Sequence, residues 1–359
     1  PLLAVTLEPP HPAPDLLARP ELVERLADGA PQVCLISAPA GWGKTSLLSA
    51  WLGSRRDGQH AAFLRLEESD DVGPLFWTYV IAALRKVVPG LATGADAILR
   101  SPEVDPMRQV VPSLLNELMD VEEDLLLVLD DYHVISVADI HDSMASFIDH
   151  LPPTVCLVIA TRSDPPLPLG RLRASGKLAE IRVGDLAFSP TDTVQLLHRR
   201  FAVDLIETDA DSLCRRTEGW PAAVQLAGLS LQGKDDHTEF VERFAGDDRN
   251  VAAYLMGEVL ASVTPDVRAF LQATCVLDEL SGSLCDAVAE TERSDSLLQR
   301  LEESGLFVIP LDSHGGWYRY HHLFADWLRH ELRRERGDLI PLLHRRAADW
   351  HAEHGDLVS

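Results

Sequence analysis

Two patterns of apolar residues divide the sequence. Up to about residue 190, short runs rich in β-branched residues alternate with longer helical patterns, which predicts parallel strands joined by helices. The predicted strands are VCLIS from Val33, AAFLRL from Ala61, LLLVLD from Leu125, VCLVIAT from Val155 and AEIRV from Ala179. The segment ATGADAILRSPEVDP, from about 92 to 106, is rich in turn residues and predicts a loop or lid.

Strand signals fade after the segment FSPTD at 188 to 192. Ser189 can cap a helix, Pro190 takes its first position, and Asp192 lies in its positively polarised first turn. The chain then predicts consecutive helices to about residue 304. The apolar pair LFVIPL and WYRYHH brackets the turn DSHGG at 312 to 316 and predicts a hairpin, so this part can form a winged-helix-like unit. The closing LLHRRAADWHAEHGD predicts a helix that could open a helical repeat.

Composition predicts an ordinary globular protein. The chain has 359 residues, of which 46% are hydrophobic and 25% charged, enough for a large core in two or three domains. The longest apolar runs, LLLVL and VCLVIA, fall far short of the roughly 20 residues that span a bilayer, and no signal peptide is recognisable. We therefore expect no membrane partner. The five cysteines are scattered without metal-ligand spacing, which favours a reducing, cytoplasmic location.

Net charge narrows the choice of partners. The formal charge of -24, from 32 basic and 56 acidic residues, would repel a polyphosphate backbone, so we expect no DNA binding by this chain alone. The sequence begins with Pro1 rather than methionine and stops at AEHGDLVS without a terminating signal. We therefore expect a fragment of a longer protein.

The stretch VCLISAPAGWGKTSLL carries the strongest chemical signal. A strand, a tight loop and a helix starting near Thr45 would direct backbone N–H groups and a helix N-terminus at anionic oxygens. Lys44 would then bridge the β and γ phosphates, Thr45 would offer its hydroxyl to Mg²⁺, and Gly41 and Gly43 would let the backbone approach. The predicted phosphate loop comprises Ala40, Gly41, Trp42, Gly43, Lys44, Thr45 and Ser46.

Ala38 departs from the usual pattern, which has a glycine at that position of the loop. The following Pro39, Ala40 and Gly41 make the turn plausible without it. The plainer interpretation of the stretch is a strand-to-helix turn with a surface lysine.

Acidic residues at the end of another strand complete the predicted site. LLLVLDDYH places Asp130 and Asp131 at the carboxyl edge of the sheet, where ligands of such folds bind. Asp130 would hold Mg²⁺ through water and Asp131 would act as the base or orienter for the attacking water. The alternative is that an aspartate merely caps the next helix. Arg162, at the end of the next strand, could meet the γ-phosphate or could simply pair with a surface acid.

Five segments together resemble a known family. APAGWGKTSLL, LVLDDYHVI, IATRSDPPLPLGRLRASGKLAEIRVGDLAFS, TEGWPAAVQLAGLSL and YRYHHLFADWLRHEL, in this order, are similar to the ATPase module of the MalT-like, LuxR-type transcriptional regulators. These are signal-transduction ATPases of the STAND class, related to the death-receptor switches of plants and animals. The resemblance runs from about Asp15 to the end of the chain, and the Gly-Trp-Pro and Tyr-His-His motifs are more specific than the phosphate loop.

The resemblance implies an α/β fold with several domains. A P-loop nucleotide-binding domain with a parallel sheet would occupy residues 1–188, a small helical domain 189–262, a winged-helix domain 263–336, and the start of a helical-repeat region 337–359. The family continues into a sensor that binds the inducer and a helix-turn-helix that binds DNA. The resemblance further implies ATP/ADP and Mg²⁺ as cofactors, an ADP-bound closed monomer, and self-association in the ATP state.

The resemblance also implies two site residues outside the first domain. Pro221 matches the Gly-Trp-Pro proline that packs on adenine, and His321 falls where a winged-helix histidine touches the β-phosphate of ADP. The alternatives are that Trp220 and Pro221 only start a helix and that His321 is a core histidine. His322 replaces an aspartate of the death-receptor relatives, so the resemblance supports no role for it.

Two classes of function compete at this point. The first is a slow switch ATPase that controls transcription, and the second is a mechanical AAA-like ATPase acting on nucleic acid. The acidic composition weighs against the motor, because single-strand channels need basic charge and stacking platforms. A small-molecule kinase is more remote, since no acceptor pocket is recognisable.

Overall fold

The computed structural model describes residues 3–13, 15–27, 31–54, 60–101, 106–234, 236–258, 263–312 and 314–354. The chain divides into two compact units, one formed by Pro1–Ala38 and Gly43–Leu186 and the other by Pro39–Trp42 and Ala187–Ser359. No described helix is both long and apolar enough to cross a bilayer.

The first unit is a parallel sheet covered by helices. Its described strands lie in the order β2-β3-β4-β1-β5, and all neighbours are parallel. The elements in chain order are α1 (Pro20–Ala27), β1 (Val33–Ser37), α2 (Lys44–Gly53), β2 (His60–Arg65), α3 (Gly73–Val87), α4 (Thr93–Leu99), α5 (Pro106–Leu118), β3 (Leu125–Asp130), α6 (Ala138–Asp149), β4 (Val155–Thr161), α7 (Leu169–Ala174), β5 (Leu178–Ile181) and α8 (Val183–Leu186), with 3-10 turns at Ala4–Leu7, Glu68–Asp70 and Tyr132–Val134.

The central strands are buried along their length, as their apolar sequences predict. Every residue of β1 and β3 is buried, since helices cover both faces of the sheet. One side of the core is aromatic: Trp77 makes edge contacts with Phe76 and Phe147, and its indole Nε1 donates to Ser143 Oγ at 3.1 Å. The predicted parallel α/β sheet is therefore confirmed.

The predicted loop at 92 to 106 is wrong in part, because Thr93–Leu99 form helix α4. The carboxylate of Glu117 accepts hydrogen bonds from the backbone N–H groups of Thr93, Gly94 and Ala95 at 2.8, 3.0 and 3.3 Å. These are the donors that a helix N-terminus leaves without intrahelical partners. The cap comes from α5, more than 20 residues away, so no local signal predicts it. Residues 102–105 lie outside the described part of the chain.

The second unit is mainly helical, with one β-hairpin. Its described elements are α9 (Pro190–Phe201), α10 (Glu207–Thr217), α11 (Pro221–Leu231), α12 (His237–Arg243), α13 (Arg249–Glu258), α14 (Pro265–Thr274), α15 (Gly282–Ala289), α16 (Ser294–Glu303), β6 (Val308–Pro310), β7 (Tyr318–Tyr320), α17 (His322–Arg336), a 3-10 turn at Gly337–Leu339 and α18 (Ile340–His354). The predicted cap of α9 is present, because Ser189 and Asp192 form a capping box and Pro190 is the first helical residue.

The predicted hairpin is also present. Strands β6 and β7 pair antiparallel with Val308 opposite Tyr320, and Leu280 adds a bridge through two backbone hydrogen bonds with Tyr318 at 2.7 and 2.8 Å. Helices α14 to α16 precede the hairpin and α17 follows it. This order is the one expected for the winged-helix-like unit.

Candidate nucleotide-binding site

The loop between β1 and α2 turns through two glycines. Gly41 and Gly43 have φ of +76° and +82°, the left-handed region that glycine adopts without steric cost. Helix α2 begins at Lys44, and Gly43 O accepts from Leu47 N within its first turn. The loop therefore turns as predicted although Ala38 stands in the usual glycine position.

Lys44 is buried at the beginning of α2, with 7% of its surface exposed. Its Nζ donates to the carbonyl oxygen of Ala38 at 2.7 Å. Burial lowers the pKa of Lys44 to about 8; nearby Arg162 lowers it further, while the charges of Asp131 and Asp130 oppose the shift. The plainer interpretation of a surface lysine is therefore wrong, since the ammonium is held inside the loop.

Thr45 and Asp130 meet although they are 85 residues apart. The Thr45 hydroxyl donates to Asp130 Oδ2 at 3.1 Å, and Asp131 N donates to Asp130 Oδ1 at 3.0 Å. Asp130 is fully buried, and burial followed by the charge of Asp131 raises its pKa to about 6. The sheet brings the two residues together because β1 and β3 both pair with β4 and end at the same edge.

This pair fits a magnesium ion. A hydroxyl and a carboxylate are hard oxygen ligands, and Mg²⁺ in nucleotide sites is usually held by one or two such groups together with phosphates and water. Within the described residues there is no group of three or more His, Cys, Asp or Glu side chains that would form an all-protein metal site. The hydroxyl of Thr45 and the carboxylate of Asp130 therefore suit an ion whose other ligands are phosphates and water.

Asp131 lies beside the pair and is more accessible. Its backbone is left-handed at φ +59°, and its side chain is 35% exposed. Arg162 follows Thr161, which lies opposite Ser37 in the register of β4 and β1, and its charge is close enough to lower the pKa of Lys44. The predicted residues Lys44, Thr45, Asp130, Asp131 and Arg162 thus gather at one edge of the first unit's sheet.

Two residues of this edge escape the sequence-based prediction. Arg65 Nε lies 3.9 Å from Asp131 Oδ2, and His133 Nδ1 lies 3.9 Å from Asp131 Oδ1. Burial, together with the charges of Arg162 and Lys44, lowers the pKa of His133 to about 4. The available signal was positional, because Arg65 is the second-last residue of a predicted strand and His133 directly follows Asp-Asp-Tyr.

Ser46 continues helix α2, whereas Ala40, Gly41 and Trp42 group with the second unit. There, Pro221 is the first residue of α11 and Trp220 is its N-cap residue, so the predicted helix start at this motif is confirmed. The indole Nε1 of Trp220 donates to Ala40 O at 3.2 Å, and Ala222 N donates to Gly41 O at 3.1 Å. Contact of Pro221 with adenine stays a prediction.

His321 is 1% exposed and lies between the hairpin and α17. Its Nε2 is 3.1 Å from the carbonyl oxygen of Thr217, and its Nδ1 makes no hydrogen bond. Since a carbonyl only accepts, Nε2 carries the proton. Burial lowers the pKa of His321 to about 4, although Glu218 and the Thr217 carbonyl oppose the shift. A phosphate contact would therefore use Nδ1, and only after protonation or loss of the Thr217 bond.

The sheet, the glycine loop and the paired Thr45 and Asp130 define the chain as an α/β protein with a P-loop fold. The solved Walker-type ATPase PABY2304 of Pyrococcus abyssi has the same fold, with a TM-score of 0.57 and 17% identity over 90% of this chain and 99% of that one. A family model described as the MalT winged helix domain matches residues 256–340.

Two kinds of curated relative align with nearly the whole chain. The serine/threonine-protein kinase PknK of Mycobacterium tuberculosis (strain CDC 1551 / Oshkosh) is 32% identical over 359 residues, which are 99% of this chain and 32% of the kinase. The HTH-type transcriptional regulator MalT of Yersinia enterocolitica is 33% identical over 324 residues, 89% of this chain and 36% of the regulator. The predicted resemblance is confirmed, and the chain is MalT-like in sequence. It spans about a third of the length of these relatives.

Proposed function

We propose that this chain is the regulatory ATPase module of a longer MalT-like protein. It binds ATP and ADP with Mg²⁺ at the phosphate loop, hydrolyses ATP slowly, and uses the bound nucleotide to set its own conformation. The observation that carries the proposal is the contact of Thr45 with the buried Asp130 beside the buried Lys44, because a P-loop fold uses such a set for phosphates and metal.

The role of a switch rests on what the relatives share. One is named a transcriptional regulator and the other a protein kinase, yet 89% of this chain aligns with the regulator and 99% with the kinase. A module common to proteins with different outputs suits control of an attached domain better than one metabolic reaction. We propose that the inducer and DNA are bound by other parts of the protein and that the ATP state self-associates.

Each residue of the first-unit site has a proposed task. Lys44 neutralises the β and γ phosphates, Thr45 and Asp130 hold Mg²⁺, and Asp131 orients the attacking water. Arg162 stabilises the charge that spreads over the transferred phosphoryl group. Bound Mg²⁺ supplies positive charge to the phosphate oxygens.

Binding of MgADP and MgATP to the purified chain tests the proposal. A ligand at 100 times its dissociation constant adds about 2.7 kcal/mol to the free energy of unfolding, so both nucleotides should raise the melting temperature. Lys44→Ala should abolish most of this shift. Lys86→Ala is the matched control, since Lys86 is ion-paired with Glu8 at 2.6 Å on the surface and should leave the shift unchanged.

If nucleotide raises the melting temperature equally in both lysine variants, the assignment of the loop as the phosphate-binding site is wrong. Turnover distinguishes a switch from a mechanical motor: the switch should stay far below about 1 per second with or without DNA, whereas a motor should exceed that rate on its polymer.

A further inference from the structure

Two carbonyl oxygens of the phosphate loop, those of Ala40 and Gly41, accept hydrogen bonds from other residues of the second unit. Ala40 O accepts from the indole Nε1 of Trp220 at 3.2 Å, and Gly41 O accepts from the backbone N–H of Ala222 at 3.1 Å. We call these two donors the loop clamp. They lie about 180 residues from the loop in sequence.

Hydrogen bonds and packing hold both donors of the loop clamp in place. Ala222 is the second residue of α11, so its N–H is one of the donors that the helix leaves without an intrahelical partner. Trp220 is fully buried, with its ring at edge contacts of 5.4 Å to Tyr254 and 4.9 Å to Phe307. Its backbone N–H donates to Thr217 O at 2.9 Å, so both ends of the residue are fixed.

Gly41 fits closely against the loop clamp. A Cβ at this position would lie 2.7 Å from the Cβ of Ala222, 2.7 Å from Trp220 Nε1 and 2.8 Å from the Tyr254 hydroxyl. A Cβ at Gly43, whose φ is also positive, would meet nothing within 4 Å. Both positions favour glycine for their backbone angles, but only Gly41 also needs it to admit the loop clamp.

Holding a carbonyl also orients the neighbouring amide. The described peptide bonds include no cis bond, and in a planar trans peptide the C=O and the next N–H point in opposite directions. The hydrogen bond from Trp220 Nε1 to Ala40 O therefore sets the direction of the Gly41 N–H. The bond from Ala222 to Gly41 O likewise sets that of the Trp42 N–H.

We propose that Trp220 and Ala222 are positioning residues for nucleotide binding, which orient the Gly41 and Trp42 amides toward the phosphates by holding the carbonyls behind them. This inference rests on the proposed function of the loop. It makes phosphate affinity depend on the start of α11, so a movement that withdraws Trp220 would also relax the loop.

Trp220→Phe removes the indole donor and keeps most of the ring. The loss of one hydrogen bond should weaken binding of MgADP and MgATP by about 2- to 12-fold in titration calorimetry. Trp77→Phe is the matched control: Trp77 is also fully buried and its Nε1 donates to Ser143 Oγ at 3.1 Å, within the first unit's core. It should lower the melting temperature comparably and leave both affinities unchanged.

A double-mutant cycle gives a second measurement, independent of how much Trp220→Phe affects folding. Gly41→Ala should weaken binding, and its effect should be smaller in the Trp220→Phe background, because the smaller ring relieves the clash with the new Cβ. Gly43→Ala also weakens binding, but its effect should be additive with Trp220→Phe. If the effects of Gly41→Ala and Gly43→Ala on nucleotide affinity are both additive with that of Trp220→Phe, the inference is overturned.

Lys44→Ala separates failure of the inference from failure of the proposed function. If the parent chain binds nucleotide, Lys44→Ala does not, and Trp220→Phe binds as tightly as Trp77→Phe, the loop clamp has no positioning role. If Lys44→Ala binds as tightly as the parent, the proposed function itself is wrong.

Discussion

The two buried charges at the phosphate loop are both shifted toward their neutral forms. Burial lowers the pKa of Lys44 to about 8 and raises that of Asp130 to about 6. Burial of charged groups without full solvation lowers the free energy of unfolding. Binding of an anionic ligand together with a metal ion can raise it again. The loop is therefore suited to bind a charged nucleotide rather than to stabilise the fold.

Lys44→Met should make the nucleotide-free chain more stable while abolishing nucleotide binding. The folded pKa of Lys44 lies below its unfolded value near 10.4, so the charged lysine opposes folding at pH 7 and this cost disappears as pH rises from about 8 to 10.4. Urea unfolding at pH 7 should show a gain on the order of 1–3 kcal/mol over the parent. The gain should shrink toward pH 10, and a loss of stability at pH 7 would contradict this account.

Asp131 and Asp130 should differ in their effects when each is changed to asparagine. Asp131→Asn should suppress ATP hydrolysis and leave MgATP affinity nearly intact, because Asp131 is the accessible carboxylate. Asp130→Asn should also weaken Mg²⁺-dependent binding. Single-turnover hydrolysis and calorimetry with and without Mg²⁺ measure both effects, and identical defects would argue against separate roles.

At the scale of secondary structure, acidic side chains from distant elements fix the ends of helices. Glu117 caps α4, and Glu218, in the left-handed conformation after α10, holds the hairpin through Arg319 at 2.6 and 2.9 Å. Glu218 Oε1 also accepts from His322 N at 2.8 Å, at the start of α17. The turn before Trp220 is thereby joined to the hairpin and to the following helix.

Glu218→Gln should destabilise the chain by about 1.5–3 kcal/mol at pH 7, as expected for hydrogen bonds to a charged group. Burial alone would raise the pKa of Glu218, but Arg319 and the neighbouring donors outweigh it and lower the pKa to about 2. A lowered acid pKa gives stability that is complete above about 4.3 and is lost as pH falls toward 2. The difference between parent and variant in urea unfolding should therefore shrink between pH 4.5 and pH 3.

The control for this variant is Glu239→Gln on α12. Glu239 is also ion-paired, with Arg243 at 2.8 Å, but its side chain is 54% exposed. Such a surface pair should change stability by less than about 1 kcal/mol. Equal losses in the two glutamate variants would show that the Glu218 contact has no special importance.

At the scale of the whole molecule, we propose that His321 couples the bound nucleotide to the domain arrangement. If its imidazole contacts ADP in a closed state, as the family resemblance implies, His321→Ala should weaken ADP binding, spare most ATP affinity and give a larger scattering radius with ADP. His330→Ala, an exposed histidine of α17 near Asp247, is the control. An unchanged ADP affinity together with an unchanged radius would leave His321 a packing residue.

The protonation of His321 adds a second signature. With Nε2 donating to Thr217 O and a pKa of about 4, a contact from Nδ1 to phosphate requires uptake of a proton. ADP affinity of the parent should therefore rise more steeply as pH falls from 8 to 6 than that of His321→Ala. Calorimetry at both pH values measures the difference, and equal slopes would exclude protonation at this site.

The sequence by itself determined the strands of the first unit and the candidate residues at their carboxyl ends. Continuous apolar runs are typical of strands buried on both faces, and a Gly-Lys-Thr turn or an Asp-Asp pair at a strand end predicts a phosphate or metal site, because these signals are local. The tertiary structure decided what depends on residues far apart in the chain. Glu117 caps α4 where the sequence predicted a loop, Asp130 accepts a hydrogen bond from Thr45, and Trp220 donates one to the carbonyl oxygen of Ala40. Hydrogen bonds and burial between distant segments leave no periodicity in the sequence, so only the folded chain could show them.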